Sequence, residues 1–292
     1  MKRRSFDDVA NDGAYQRPRR WAPARRFKCA RAEAVLVWFL FALSAAAHDT
    51  WILPRQARVS PGKVASFDLT SGMAFPANDS AVAPDRLARA STRLDNGVSD
   101  LVRGVGGKKA LRLKARFPEA GIAAVWIESK PRTLELTPAQ VREYLEEIGA
   151  WESVGRKWES EGKGRWRESY TKHAKTYVRV GRPGKDDSWA RPVGMELELV
   201  PEKDPTQLAA GEELPVRLLR VGKAVPDLAV GLIAANAKSG SLLETDSQGR
   251  VRLRFERGGW WLIRATVLKP ASKPDLDWET RFTTLTVFVG AR

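Results

Sequence analysis

The two histidines of this 292-residue chain are its most chemically pointed residues, because histidine is otherwise absent. His48 follows directly on the run AVLVWFLFALSAAA at residues 34–47. Cleavage after Ala47 would make His48 the first residue, with a free α-amine beside its imidazole. Amine nitrogen and Nδ1 then close a six-membered chelate ring on one ion, and imidazole suits nickel, cobalt, copper and zinc. The amine titrates at about 7.7–8.0, so at neutral pH a metal must displace a proton there. Asp49 and Met73 offer an oxygen and a thioether, although nothing in the spacing brings them near His48. His173 lies in Tyr170–Tyr177 (YTKHAKTY). On a helix it would share a face with Tyr170 and Tyr177. A histidine so placed is more often a structural hydrogen-bonding group than a ligand, and Lys172 and Lys175 would repel a cation. The candidate metal ligands are therefore His48, Asp49 and His173, with His48 carrying the reading.

Other chemistry lacks its residues. No H-E-x-x-H, C-x-x-C, G-x-S-x-G or phosphate-binding glycine loop is present, so no catalytic residue, no organic cofactor and no enzyme activity is expected. With no third histidine, a closed structural zinc site is not expected either. The single cysteine, Cys29, precedes the apolar run. Cleavage would leave no cysteine, which excludes disulfides and thiolate ligands.

The apolar run has basic residues before it and small residues at its end, with Ala45 and Ala47 at the −3 and −1 positions of a cleavage site. It is shorter than the roughly 20 residues that span a bilayer. Residues 1–47 are thus expected to be a signal peptide and the mature protein to be periplasmic, without lasting insertion in the membrane; an uncleaved anchor is the competing reading. Arg3-Arg4-Ser5-Phe6 faintly resembles a twin-arginine signal, and no cysteine stands at the cleavage site to take a lipid. The chain carries a net charge of +15, of which +9 remains after residue 47. That surplus permits contact with anionic lipid or polysaccharide. Nucleic acid is not an expected partner, because no recognised nucleic-acid-binding pattern appears.

The elements that must hold these residues read as strands. Ala65, Phe67 and Leu69 alternate with polar neighbours, as do Leu111, Leu113 and Ala115, and Ala123–Ser129 is apolar and branched enough to be buried. Thr137-Pro138 opens a helix, with Val141, Tyr144, Leu145 and Ile148 on its apolar face and Gly149 at its end. The charged, Trp-bearing stretch 150–177 is expected to be helical in part. Strands return at Met195–Val200, Leu214–Val221, Leu228–Ala234, Val251–Phe255, Trp260–Val267 and Phe282–Val289, with a hairpin turn at Asp246–Gly249. One of Trp260 and Trp261 should face the core and the other outward.

His48-Asp49-Thr50-Trp51-Ile52-Leu53-Pro54 after a signal peptide resembles the start of a bacterial family of unknown function linked to nickel or cobalt uptake. Ser71-Gly72-Met73-Ala74-Phe75-Pro76, Tyr144–Gly149, Glu168–Lys175, Thr245-Asp246-x-x-Gly249 and Gly258-Gly259-Trp260-Trp261 resemble its later stretches, in the same order. The resemblance implies an envelope location, tandem β-sandwiches, a C-terminal domain similar to carboxypeptidase-regulatory and prealbumin-like domains, and metal handling.

The expected fold is all-β: two immunoglobulin-like or prealbumin-like β-sandwich domains at 48–181 and 194–292, a linker at 182–193, and a short helical insertion at about 137–177. The leading functional expectation is a periplasmic protein that binds nickel, cobalt or copper, working with a membrane transporter or another envelope protein. The alternative is a non-catalytic scaffold or adhesion module that binds polysaccharide or an envelope protein through basic and Trp-bearing surface. A copper-dependent oxidative enzyme built on an N-terminal histidine ranks last, because the motif order does not match.

Overall fold

Strands dominate because apolar residues recur at every second position, and the computed structural model describes residues 48–292 apart from 183, 185 and the side chain at 105. The expected signal peptide, its cleavage site and Cys29 lie outside the described residues. In chain order come β1 (Asp49–Pro54), β2 (Arg58–Val59), β3 (Val64–Gly72), β4 (Ser80–Ala81), β5 (Leu87–Leu94), β6 (Gly97–Asp100), β7 (Val102–Gly106), β8 (Leu111–Arg116), β9 (Gly121–Ser129) and β10 (Arg132–Leu136). Then follow α1 (Pro138–Glu147), a π-turn at Trp151–Gly155, α2 (Arg156–Ser160) and the 15-residue β11 (Trp166–Val180). The rest comprises β12 (Leu197–Pro201), β13 (Glu213–Arg220), β14 (Lys223–Ala224), β15 (Ala229–Ala234), β16 (Ser241–Glu244), β17 (Arg250–Arg254), β18 (Gly259–Pro270) and β19 (Trp278–Val289). No helix among the described residues is long and apolar enough to cross a membrane.

The protein is all-β, built as three sheets. One sheet runs β1-β3-β8-β7 with β4 against β3, and another runs β12-β13-β14 with β17 against β13. The third has ten strands and runs β16-β15-β18-β19-β11-β9-β5-β6, with β10 and β2 also against β11. It is buried on both faces where β9 and β11 pass. Ala123, Val125, Ile127, Ala174 and Val178 pack with Phe67, Leu69, Leu111 and Leu113 of the first sheet. Ile122, Ala124 and Tyr177 pack instead with Leu199, Val216, Leu218 and Leu253 across the other face, beside Leu285 and Val287. Burial on both faces explains why β9 is apolar at successive positions. The halves on either side of residues 182–193 share this sheet, because β11 pairs in parallel with β19 from Glu168↔Trp278 to Thr176↔Thr286.

The helical stretch is shorter than the sequence suggests. Within that stretch helix is confined to Pro138–Ser160, and residues 166–177 are strand. Thr137 opens α1, its N–H donating to Gln140 Oε1 at 2.9 Å. Gly149 ends it at φ 71°, with Ala150 N–H reaching back to Leu145 O at 2.7 Å, an αL cap that only glycine takes without strain. Trp166, Tyr144, Trp158 and Leu145 bury one side of this unit. The helical reading of Tyr170–Tyr177 fails because both faces of that segment are covered, so its Thr and Tyr residues suit a strand at the centre of a sheet. His173 and Tyr170 therefore point to opposite faces rather than sharing one. Asp246–Gly249 turns as expected, Gly249 adopting φ 71°. Trp261 enters the core while Trp260 packs at its margin on Phe288.

Candidate functional site

The ladder along β11 opens in its middle. β10 pairs with it only as far as Tyr170, and β9 takes over only from Tyr177. Between them the chain turns at Lys130-Pro131, and the backbone N–H of Lys172 donates to Ser129 Oγ at 2.8 Å instead of to a strand carbonyl. A cavity of about 210 Å³ occupies this gap, between the edge of the first sheet and the ten-stranded one. Its walls are His48 and Thr50 at the head of β1, Ser71 of β3, Ser80 to Ala83, Arg86, Ile127 and Ser129 of β9, Arg132 of β10, and Tyr170 and Lys172 of β11.

Three of those side chains are cationic, and no Asp or Glu among the described residues lines the space. Lys172 is buried and donates through Nζ to the carbonyl of His48, so it ties β11 to the start of β1. Its ammonium stands over the rings of Tyr170 and Phe282 at 5.6 and 5.5 Å. Desolvation pulls its pKa down to about 8, against the attraction of Asp49, Glu168 and Glu147. Arg86 donates to the carbonyls of Lys130 at 3.0 Å and Pro131 at 3.3 Å. Those bonds fix the guanidinium while leaving its charge uncancelled. The half-buried imidazole of His48 titrates below the ordinary histidine range, first through burial and then through the charge of Lys172, with Asp79 and Asp49 opposing. It is the neutral imidazole that ligates metals.

The structure separates the three residues singled out from sequence. Asp49 turns to the other side of β1, where its Oδ2 accepts from Arg264 Nη1 at 2.9 Å, and the same guanidinium bridges to Glu147 of α1. Asp49 and Met73 line a second, outer cavity of about 350 Å³ with Glu146, Glu147 and Arg264. His173 lies on the face of β11 opposite Lys172, hence opposite the contact that Lys172 makes with His48. Its Nδ1 is 2.9 Å from the carbonyl of Phe282 and its Nε2 4.0 Å from Glu128. Burial pushes its pKa down. Among the described residues no group of three or more His, Cys, Asp or Glu is placed to hold a metal ion. His48 alone of the three faces the cavity around Lys172.

The sequence reading missed Arg86 and Arg132 and weighed Lys172 only as a neighbour of His173. One available signal was a lysine alternating with Tyr170 and Ala174 on the face of a strand now seen to be buried, since lysine is almost never fully buried without a partner or a task.

Residues 45–269 match a family described as a domain of unknown function, DUF4198. The chain belongs to the DUF4198 family. No curated protein matches this DUF4198 member. Among solved structures it is similar to the adhesin InvE of Yersinia pseudotuberculosis, at 11% identity and a TM-score of 0.22 over 85% of this chain and 64% of that one. It is similar also to Salmonella alpha-2-macroglobulin reacted with methylamine, at 12% identity and a TM-score of 0.23 over 83% of this chain and 15% of that one. A third is SGBP-B of the Bacteroides ovatus mixed-linkage glucan utilization locus in complex with a heptasaccharide, at 9% identity and a TM-score of 0.19 over 78% of this chain and 43% of that one. The chain spans less than two-thirds of the length of each.

Proposed function

We propose that this DUF4198 protein is an exported, non-catalytic binding protein of the periplasm that holds a transition metal as cargo, nickel or cobalt first and copper next, for hand-over to a transporter or another envelope protein. The observation that carries the reading is the place of His48: half-buried at the mouth of a small cavity, with its imidazole held toward the neutral form. After cleavage behind Ala47 the α-amine of His48 joins the imidazole, and the two nitrogens grip one ion. Asp49 and His173 take no part, because each is engaged elsewhere. With two protein donors the ion keeps open positions, which suits a cargo that must leave.

The test is a nickel titration of the mature protein, followed by calorimetry and native mass spectrometry, beside a form carrying one additional Ala before His48. The extended form keeps the imidazole and loses the amine from the chelate. It is expected to bind at least about tenfold more weakly, a loss of about 1.4 kcal/mol. Equal affinity for the two forms, or a purified envelope protein whose first residue is not His48, would end the proposal.

A further inference from the structure

A separate cleft of about 360 Å³ lies between α2 and the hairpin of β18 and β19. Lys157, Trp158 and Glu161 border it from the helical unit, Lys163 from the turn that follows, and Asp277 and Trp278 from the hairpin. Trp278 lies flat on Trp166, with ring centroids 5.0 Å apart and planes 13° apart. Trp166 is fully buried and is not a wall of the cleft, so the cleft meets Trp278 on the side that Trp166 leaves open. Trp158 packs edge-on against the same Trp166 at 6.0 Å. Trp158 is only 6% exposed, yet its Nε1 has no hydrogen-bond partner among the described residues. A buried indole N–H usually finds an acceptor. Trp51 and Trp126 also leave this atom unpaired, but each is 1% exposed within the core, whereas Trp158 forms a wall of open space. Asp277 is fixed too: its N–H donates to the carbonyl of Arg167 at 2.8 Å, and its Oδ2 accepts from the N–H of Arg167 at 2.8 Å, which leaves Oδ1 for a guest. On the rim Glu161 Oε2 accepts from Lys163 Nζ at 2.9 Å. The walls carry two cations, Lys157 and Lys163, against two carboxylates, Glu161 and Asp277, so no net charge selects an anion or a metal ion. The space exceeds the roughly 300 Å³ at which small-molecule sites begin. It offers a flat aromatic ring, a buried donor and carboxylate acceptors. Their complement is a molecule with an apolar face and hydroxyls around its edge, which describes a pyranose.

We propose that this cleft binds a neutral pyranose of an oligosaccharide. The apolar ring face lies on Trp278, an oxygen of the sugar accepts from Trp158 Nε1, and hydroxyls donate to Asp277 Oδ1 and Glu161. An extended proline-rich peptide also docks on aromatic rings. An oligoproline, however, has carbonyls and no N–H, so it offers no donor to either carboxylate. The sugar is therefore favoured. A hydroxyl and an acetamido carbonyl both accept from an indole N–H, so glucose-type and N-acetylglucosamine-type rings share this chemistry. The assignment holds whether or not His48 takes a metal.

Calorimetry of the mature protein with cellotriose, and separately with triacetylchitotriose, tests it. Binding of at least one sugar with a Kd of about 5 mM or tighter is expected. Trp158→Phe keeps an aromatic ring and removes the donor, and should weaken that binding about fivefold, the size of one neutral hydrogen bond. Trp278→Ala should weaken it by about tenfold or more, as loss of an aromatic anchor does. Circular dichroism melts report whether the alanine variant folds, and Trp158→Phe decides where it does not. Trp260→Phe alters a ring on Phe288, at the opposite end of β18 from the cleft, and should leave binding within about twofold. Preference for cellotriose assigns a hydroxyl to the indole, and preference for triacetylchitotriose assigns an acetamido carbonyl; either supports the site. Binding of neither sugar, equal losses in Trp158→Phe and Trp260→Phe, or binding of a decaproline peptide in place of both sugars overturns it. A failed nickel titration leaves these outcomes unchanged, since the chelate at His48 uses no residue of the cleft.

Discussion

Lys172 holds a charge where burial opposes it. The groups that act on it are Asp49, Glu168 and Glu147, which favour the ammonium, and Arg86, which disfavours it; His48 feels the lysine's charge in turn. Its folded pKa is about 8 against 10.5 for the ordinary side chain. Between those values the unfolded chain binds more protons than the folded one, so this residue's contribution to stability rises with pH across that window. Below pH 8 the folded state bears the whole penalty, about 3 kcal/mol for a shift of this size. The melting-temperature difference between the native protein and Lys172→Met is therefore expected to move in favour of the native protein as pH rises from 8 to 10, on top of the constant loss of the bond to the His48 carbonyl. Thermal melts at pH 7, 8.5 and 10 check it. A gap that does not change with pH would overturn the expectation. His48 was legible in the sequence because its chemistry depends on what precedes it in the chain. Arg86 and Arg132 were not, because neither has a local pattern and only the tertiary fold brings them together.

At the level of elements, the head of β1 is held from two sides. Lys172 of β11 takes the carbonyl of His48, and Arg264 of β18 takes the carboxylate of Asp49 while reaching Glu147 at the end of α1. Asp49 thus positions the first strand rather than facing the cavity. Asp49→Asn should lower stability by about 1 kcal/mol, the upper end of the range for exposed pairs, since this one is largely shielded, and leave nickel affinity within about twofold, less than loss of a metal ligand would produce. Melting curves and nickel titrations of this variant decide it; a tenfold loss of nickel affinity would restore Asp49 as a ligand. The strands of the C-terminal half were readable from alternation, and α1 from Thr137, Pro138 and Gly149. β11 was not, since its lysines and histidine look solvated on paper. They are buried because each has a partner from a distant element: Lys175 pairs with Glu198 at 2.7 Å, and His173 meets the carbonyl of Phe282. Such partners lie too far along the chain for a local pattern to show them.

For the whole molecule, the decisive contact is the parallel ladder between β11 and β19, whose members sit 110 residues apart, as at Thr176 and Thr286. Every residue that lines the basic cavity comes from the stretch between His48 and Lys172, yet β11, which supplies its base, is braced along this length by β19. Pairings so remote in sequence form late in folding. A chain shortened before Trp278 keeps the complete set of lining residues and is expected to lose the native cooperative melting transition. Circular dichroism melts of that truncated protein check the expectation; a native transition in the shortened chain would show that the cavity assembles without its brace. On the export reading, translocation delivers the histidine end first and β19 long afterwards. Secretion then acts as a timer. On that reading a partly emerged chain would display the imidazole before β19, which braces β11, had crossed.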